Sequence, residues 1–301
     1  MRRRSIGDWI FDSINYVFLG ILGLATLFPF WNVMMTSMVG SSEYYAKEVV
    51  LWPSHFNFSG YLYIFSTNWI ATGYGVTVLI TVLGTLFDMI LVCTAAYAMT
   101  KKDIIGHKFF NYFFLLTMYF SGGLIPYYLI VTKYLHLTDN IASMIITSSL
   151  GIWSYLVMKN FLREMPPELT ESARIDGAGE LTILLRIMLP LSLPSIATLS
   201  LFAAVGHWNE WGRALYFINS AEKEPLQMIL RKIVLDPNSL GRMQGTMDKA
   251  YQELVGGTND TLFEEAVKAA TVTVTALPIM LVYPFLQKYF VKGVLVGSVK
   301  G

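Results

Sequence analysis

The interpretation of this chain begins with one polar stretch, Glu171-Ser172-Ala173-Arg174-Ile175-Asp176-Gly177-Ala178, which continues to Ile187-Met188-Leu189-Pro190. It lies between two long apolar segments. Pro166 and Pro167 favour a helix start just before it, because the first turn leaves its N–H groups unpaired and proline has none. Gly177 supplies the conformational freedom that a sharp break requires. The stretch therefore predicts two short helices that meet at a glycine.

The second of these helices is expected from about residue 180 to residue 189. Its apolar side chains are predicted to share one face: Leu181, Leu184, Leu185 and Met188. Pro190 and Pro194 predict its end or a bend into the next segment. A short exposed helix pair between apolar segments is a suitable shape for docking a soluble protein.

Composition identifies the class of protein. The chain has 301 residues, of which 54% are hydrophobic and 14% charged, and its mean hydropathy is +0.50. Soluble domains carry roughly 25% charged residues. The net charge of +1 gives no indication of nucleic-acid binding. The sequence therefore predicts an all-α integral membrane protein.

Six apolar runs approach the ~20 residues that a membrane-spanning helix needs. They cover residues 14–35, 74–99, 109–131, 141–161, 193–211 and 267–289. The polar stretch falls between the fourth and fifth runs. We predict a first span with an external loop over 1–72, a core of five spans over 73–290 with the polar loop at 163–190, and a tail over 291–301. An insertion is predicted at 236–260.

Positive charge decides the predicted orientation, since Lys and Arg accumulate on the cytoplasmic side. With the N-terminus inside, the inner segments hold thirteen basic residues: Arg2, Arg3, Arg4, Lys101, Lys102, Lys108, Lys159, Arg163, Arg174, Arg186, Lys288, Lys292 and Lys300. The short outer segments hold only Lys47 and Lys133. Both termini and the polar loop are therefore expected in the cytoplasm.

Catalytic patterns are not found in the sequence. The four histidines are scattered without metal-ligand spacing. The chain contains no Gly-x-x-x-x-Gly-Lys loop to hold phosphates and no Gly-x-Ser-x-Gly elbow. We predict a chain that is not an enzyme and holds no metal or cofactor, so that any nucleotide hydrolysis takes place on another subunit.

Two further features have alternative interpretations. Asp88 lies within the second apolar run, where an ionisable residue is energetically costly and indicates a functional site. The interpretation we favour is that Asp88 caps or hydrogen-bonds a neighbouring helix or the partner subunit. The run His207-Trp208-Asn209-Glu210-Trp211 ends the fifth span. Aromatic rings with amide neighbours suit a sugar, so Trp208, Asn209 and Trp211 are candidate substrate-pathway residues, although an interfacial aromatic belt is somewhat favoured.

The polar stretch resembles the EAA motif of ABC importer permeases, Glu-Ala-Ala followed by Gly and Ile-x-Leu-Pro. The match lies in Glu171, Ala173, Gly177 and residues 187–190, with Ser172 in place of an alanine. Further stretches resemble the carbohydrate-uptake group, particularly the branch for oligosaccharides or uronate-rich polysaccharide fragments: Gly122-Gly123-Leu124-Ile125-Pro126, Pro225-Leu226-Gln227, Tyr283-Pro284-Phe285 and the tail 293–301, which is similar to that of maltose-type importers.

This resemblance implies a six-helix subunit in a bacterial cytoplasmic membrane. Its implied partners are a second permease, two ATP-binding subunits that hold ATP and magnesium, an extracytoplasmic binding protein and a carbohydrate. The helix from about 168 to 176 would be the coupling helix, with seven residues implied in contact with or support of the ATPase: Glu171, Ser172, Ala173, Asp176, Gly177, Ala178 and Pro190. An ion-coupled transporter, a membrane-embedded enzyme and a membrane scaffold are the alternatives.

Overall fold

A computed structural model describes residues 6–47, 49–235 and 263–298, with side chains described up to residue 281 in the last of these ranges. All regular secondary structure in the described residues is helical. The predicted insertion at 236–260 lies outside the described residues.

The first half of the chain contains two long apolar helices of 31 residues each, Ile6–Thr36 and Asn68–Ala98. The helices in chain order are α1 (Ile6–Thr36), α2 (Ser41–Ala46), α3 (Ser59–Ser66), α4 (Asn68–Ala98), α5 (His107–Tyr119), α6 (Leu124–Leu129), α7 (Ala142–Ile146) and α8 (Ile152–Arg163). A π-helical turn, Ile130–Tyr134, continues α6. Helices α2 and α3 occupy the predicted external loop.

The second half begins with the polar stretch. Its helices are α9 (Glu168–Ile175), α10 (Glu180–Ile183), α11 (Leu189–Leu191), α12 (Leu193–Trp208), α13 (Gly212–Phe217), α14 (Leu226–Leu235) and α15 (Glu264–Ser298). A π-helical turn, Leu184–Met188, joins α10 to α11. Helix α15 contains the predicted sixth span and extends past it into the predicted tail.

The chain divides into two compact units. The first comprises residues 1–68 and 232–277, and the second comprises residues 69–231 and 278–301. In the first unit, Met35 and Val39 pack with Phe263 and Ala266 in a small apolar core. Helix α3 passes close to the chain at Ala266, because a Cβ at Gly60 would lie 2.9 Å from the Ala266 carbonyl oxygen.

The second unit has a core built from α4, α8 and the polar stretch. Its buried members include Val92, Ala96, Tyr155, Met158, Leu162, Ala173, Ile183, Met188 and Leu199. The polar stretch is therefore attached to the ends of α4 and α8 by apolar packing.

Within the described residues, two helices are long and apolar enough to cross a membrane, Gly7–Thr36 and Asn68–Ala98. Two broken helix pairs pass the same test: His107–Tyr119 with Leu124–Tyr134, bent by 113°, and Glu180–Leu191 with Leu193–Trp208, bent by 83°. The total is four spans if each bent pair counts as one. The predicted third span is thus a broken helix, and Gly123, with a φ of 83°, lies at its break.

The predicted fourth span, 141–161, is also interrupted. Helix α7 ends at Ile146, and α8 begins at Ile152. Between them Leu150 has a φ of 69°, in the left-handed region that ends a right-handed helix. The apolar run was predicted correctly, but the expectation of one continuous helix over it is wrong.

Candidate docking loop and polar helix contacts

Helix α9 forms where the proline pair and the glycine predict it. It begins after Pro167 and has Glu168 and Glu171 in its first turn, where the helix dipole favours negative charge. It ends at Ile175, with Asp176 as the C-terminal cap. The expected first helix of the polar stretch is confirmed.

Two backbone hydrogen bonds close the end of α9. The Ala178 N–H donates to the Ala173 carbonyl at 2.9 Å, and the Gly177 N–H donates to the Arg174 carbonyl at 3.0 Å. This pair of bonds is the Schellman arrangement, which needs a left-handed residue after the cap. Gly177 has a φ of 82°, and no atom lies within 4 Å of the position that its Cβ would take. The requirement for glycine is therefore conformational and not spatial.

The two faces of α9 differ in what they offer. Ala173 is 8% exposed and packs in the core of the second unit, and Ala178 is half-buried against the same core. Glu171, Ser172 and Asp176 are exposed. Ile175 is 87% exposed at the end of the helix. The loop therefore presents acidic and apolar groups outward while the small residues hold it to the protein.

Glu180 connects the polar stretch to the end of α4. Its carboxylate accepts hydrogen bonds from the Tyr97 hydroxyl at 2.5 Å and from the Arg174 Nη2 at 2.5 Å. The Lys101 Nζ lies 3.2 Å away. The Tyr97 hydroxyl, then Arg174 and Lys101, lower the pKa of the Glu180 carboxyl to about 2. Sequence reasoning missed this residue, although an acid directly after Gly179 at a helix start is a recognisable signal.

Glu171 differs from Glu180 in having no cation close by. In the described part of the chain, no Lys or Arg nitrogen is within 4.0 Å of the Glu171 carboxylate, whereas Glu180 has two such neighbours. Glu171, which the resemblance implies in contact with or support of the ATPase, is thus a carboxylate that is available to a partner.

The continuation toward Pro190 has the predicted bend but not the predicted face. Ile183, Leu184 and Met188 are buried, whereas Leu181 and Leu185 are 67% and 53% exposed. The four side chains predicted to share one face therefore divide between the core and the exposed side. Ile183 joins Leu184 and Met188 in the core of the second unit, so the side toward the core is turned toward Ile183 and away from Leu181 and Leu185.

The bend itself lies at Ser192, between exposed Pro190 and the proline at the start of α12. Ser192 is fully buried and donates from its hydroxyl to the Met188 carbonyl at 2.6 Å. Proline cannot donate a backbone hydrogen bond, so Pro194 leaves the Pro190 carbonyl without its usual helical partner. The predicted bend after Pro190 is confirmed.

Asp88 pairs with a histidine 119 residues away. Its Oδ2 lies 3.0 Å from the His207 Nε2, and both side chains are buried. Gly84 makes the approach of α12 possible, since a Cβ there would lie 2.4 Å from the His207 ring. The expectation of a hydrogen bond to a neighbouring helix is confirmed, and its partner was not foreseen.

A second buried pair follows directly on α12. Glu210 accepts hydrogen bonds from the Arg213 backbone N–H at 2.7 Å and from the Arg213 guanidinium. Glu210 is only 7% exposed. Because Arg213 forms an ion pair with it, its negative charge is balanced within the protein. The i, i+3 spacing of Glu210 and Arg213 is a local signal for such a pair, and the sequence analysis of residues 207–211 did not predict it.

The three candidate pathway residues have different surroundings. Trp208 is half-buried and packs edge-on against Tyr74, with ring centroids 6.2 Å apart. Asn209 is exposed and accepts a hydrogen bond from the Gln227 Nε2 at 3.3 Å. Trp211 is 44% exposed, and the Arg231 guanidinium lies 4.9 Å from its ring centroid.

The fold and these contacts together define a helical membrane protein with a short polar helix, α9, that is exposed on one side and packed against the core on the other. The sequence matches the family described as "Binding-protein-dependent transport system inner membrane component" over residues 1–296, and the chain belongs to this family. It is therefore an ABC importer permease subunit that works with an ATPase and a solute-binding protein. Permeases of this kind are transport components and not enzymes.

The relatives and a solved structure agree with this assignment. The chain is 39% identical to the polygalacturonan/rhamnogalacturonan transport system permease protein YtcP of Bacillus subtilis (strain 168), over 97% of this chain and 99% of the relative. It is 25% identical, over the whole of both chains, to the arabinooligosaccharides transport system permease protein AraQ of Halalkalibacterium halodurans. A chain of a bacterial ABC transporter involved in the import of the acidic polysaccharide alginate matches with a TM-score of 0.87 and 30% identity, covering 96% of this chain and 100% of that one.

Proposed function

We propose that this chain forms half of the translocation pore of an ATP-driven carbohydrate importer, for oligosaccharides that include uronate-rich fragments. The names of its relatives support this substrate class, since they specify transport of polygalacturonan, arabinooligosaccharides and alginate. A second permease would form the other half of the pore. Two ATP-binding subunits would supply ATP and magnesium, and an extracytoplasmic binding protein would deliver the sugar.

The proposed topology has six spans with both termini in the cytoplasm. The distribution of Lys and Arg supports it. The described residues supply four spans if each bent helix pair counts as one. The interrupted run 141–161 and the run 267–289 of α15 would supply the other two. The loop 163–190 then lies between the fourth and fifth spans on the cytoplasmic side, within a core of residues 73–290. Residues 1–72 precede this core, and residues 291–301 follow it as the tail.

Helix α9 is the proposed coupling helix, and one observation carries this proposal. Its buried Ala173 and its closed Schellman end hold the helix to the core, while Glu171, Ile175 and Asp176 remain exposed. A helix fixed on one side and open on the other can transmit a displacement of its partner to the membrane helices. Glu171 would pair with a basic residue of the ATPase, and Ile175 would make an apolar contact.

The test is a charge reversal in the reconstituted importer. Glu171→Lys is expected to reduce binding-protein-stimulated ATP hydrolysis and uptake by at least about tenfold, because it replaces a charge pair with a repulsion at the docking surface. Glu164→Lys is the matched control, since Glu164 is exposed just before α9 and not on it. Equal activity of both variants would exclude α9 as the coupling helix through Glu171.

A further inference from the structure

A small group of side chains near the end of α12 has no role in the docking described above. It consists of Asn209, Trp211, Gln227 and Arg231. The first two lie just after the end of α12, and the last two lie on α14. All four belong to the second compact unit. In the proposed topology this group faces the outer side of the membrane, from which the substrate arrives.

Arg231 is held in a way that leaves its hydrogen-bond donors available. Its guanidinium carbon lies 4.9 Å from the Trp211 ring centroid. This cation–π contact is an attraction to the ring and occupies none of the guanidinium's hydrogen-bond donors with a protein acceptor. Within residues 69–231, no carboxylate lies within the 4.0 Å that would make an ion pair with Arg231. Arg213, by comparison, is paired with buried Glu210.

Gln227 is oriented by Asn209. Both ends of the Asn209 amide have a partner inside the protein, because its Nδ2 donates to the Val205 carbonyl at 2.9 Å and its Oδ1 accepts from the Gln227 Nε2 at 3.3 Å. Gln227 uses one N–H in this contact, which leaves its carbonyl oxygen and a second N–H. Asn209 is therefore a positioning residue, and Gln227 is the amide that can contact a ligand.

The chemistry of the group matches one class of ligand. An arginine presents paired donors to a carboxylate, an amide donates to and accepts from hydroxyls, and the exposed part of the indole can cover the C–H face of a sugar ring. We propose that Trp211, Gln227 and Arg231 form a contact site for a uronic-acid residue of the incoming oligosaccharide. This inference rests on the proposed import of carbohydrate and names the group that selects the acidic sugar.

The test compares an acidic sugar with its neutral ester in the complete importer. The probes are trigalacturonate and its methyl ester, which differ in charge but keep the same rings and hydroxyls. Uptake into proteoliposomes is measured with the binding protein present, and the half-saturating concentration of each probe is compared between variants. The binding protein is the same in every variant, so its own preference does not affect this comparison.

Arg231→Gln is expected to raise the half-saturating concentration for trigalacturonate about tenfold, the effect of losing one hydrogen bond to a charged group, and to leave the ester unchanged. Arg231→Lys should recover part of the loss, because it restores the charge without the paired donors. Trp211→Ala should raise the value for both probes. Lys133→Gln removes an exposed charge that is also predicted on the outer side, and it should change neither.

Three results would overturn the proposal. An unchanged value for trigalacturonate in Arg231→Gln would remove the arginine from recognition. An equal loss for the acid and the ester would indicate a structural role. A loss that appears only in liposomes with anionic lipid would assign Arg231 to a lipid headgroup. If the unmodified importer carries neither probe, the proposed carbohydrate function fails first, and this inference fails with it.

Discussion

Gly177 shows how one residue sets the geometry of the docking loop. Its positive φ allows the two hydrogen bonds that end α9 and turn the chain toward α10. For any residue with a Cβ, the left-handed conformation costs roughly 1–2 kcal/mol. The space around Gly177 is open, so a side chain there would meet no obstacle other than its own backbone.

We therefore expect Gly177→Ala to destabilise the protein by about 1 kcal/mol, seen as a lower midpoint of thermal unfolding in detergent. Gly179→Ala is the matched control, because Gly179 is equally open but has a φ of −72°. Gly177→Asn should lose less than Gly177→Ala, since asparagine tolerates the left-handed region. Equal midpoints for the alanine variants at 177 and 179 would contradict this account.

Gly84 is a case in which the requirement is space. A Cβ at this position would lie 2.4 Å from the His207 ring, and that ring is buried and held by Asp88. Gly84→Ala should therefore cost about 1–3 kcal/mol, the usual range for overpacking, again measured as thermal unfolding. Gly75→Ala on the same helix meets no atom within 4 Å and should be nearly neutral. A neutral Gly84→Ala would mean that α12 is not held this close to α4.

At the scale of elements, Glu180 joins α9, the proposed coupling helix, to the long helix α4. Arg174 comes from α9, whereas Tyr97 and Lys101 lie at the end of α4. A displacement of α9 by its partner would therefore reach α4 through a single carboxylate as well as through the apolar packing of Ala173.

Loss of the Glu180 contacts should weaken the coupling of ATP hydrolysis to transport more than it weakens binding of the ATPase to α9. We expect Glu180→Ala to reduce the sugar transported per ATP hydrolysed by roughly two- to fivefold, in line with an exposed ion pair of about 1 kcal/mol or less. Arg174→Ala should have a smaller effect, and the double variant should resemble Glu180→Ala because the two residues share one interaction. Fully additive losses would show that the pair is not the connection.

The lowered pKa of Glu180 also gives a pH dependence with a definite sign. The ionised form is the stabilised one, so the contribution is complete above the ordinary value of 4.5 and is lost as the pH falls toward about 2. Coupling measured between pH 7 and pH 5 should therefore be independent of Glu180 titration. A Glu180-dependent change in coupling within that range would contradict the assignment.

At the scale of the whole molecule, the source of energy separates the importer from an ion-coupled transporter. Asp88 is a buried acid in a membrane span, but its contact is a hydrogen bond between α4 and α12. Asp88→Asn retains a polar partner for His207 and removes the ionisable carboxyl group. We expect ATP-dependent uptake to remain within about threefold of the unmodified protein, the effect of a weakened buried hydrogen bond. Uptake driven by a pH gradient alone, and lost in Asp88→Asn, would favour the ion-coupled alternative.

The interrupted helices are the part of the architecture that was hardest to predict. The third and fourth apolar runs each contain a break, at Gly123 and at Leu150. The glycine pair Gly122-Gly123 is a recognisable local signal for the first of these breaks. Leucine favours a helix, but Ser148, Ser149 and Gly151 around Leu150 favour a loop, a local signal that the prediction of a continuous span did not use.

Composition and local spacing were sufficient to predict the class of protein, the apolar runs and the polar loop with its glycine break. These features depend on residues that are close in the chain, where periodicity, proline and glycine act directly. The tertiary structure alone decided which groups meet across long separations. The Glu180–Tyr97 contact joins residues 83 positions apart, and the Asp88–His207 contact joins residues 119 positions apart. The availability of Glu171 and Arg231 was likewise decided there, because a side chain is left open only by how the helices pack around it.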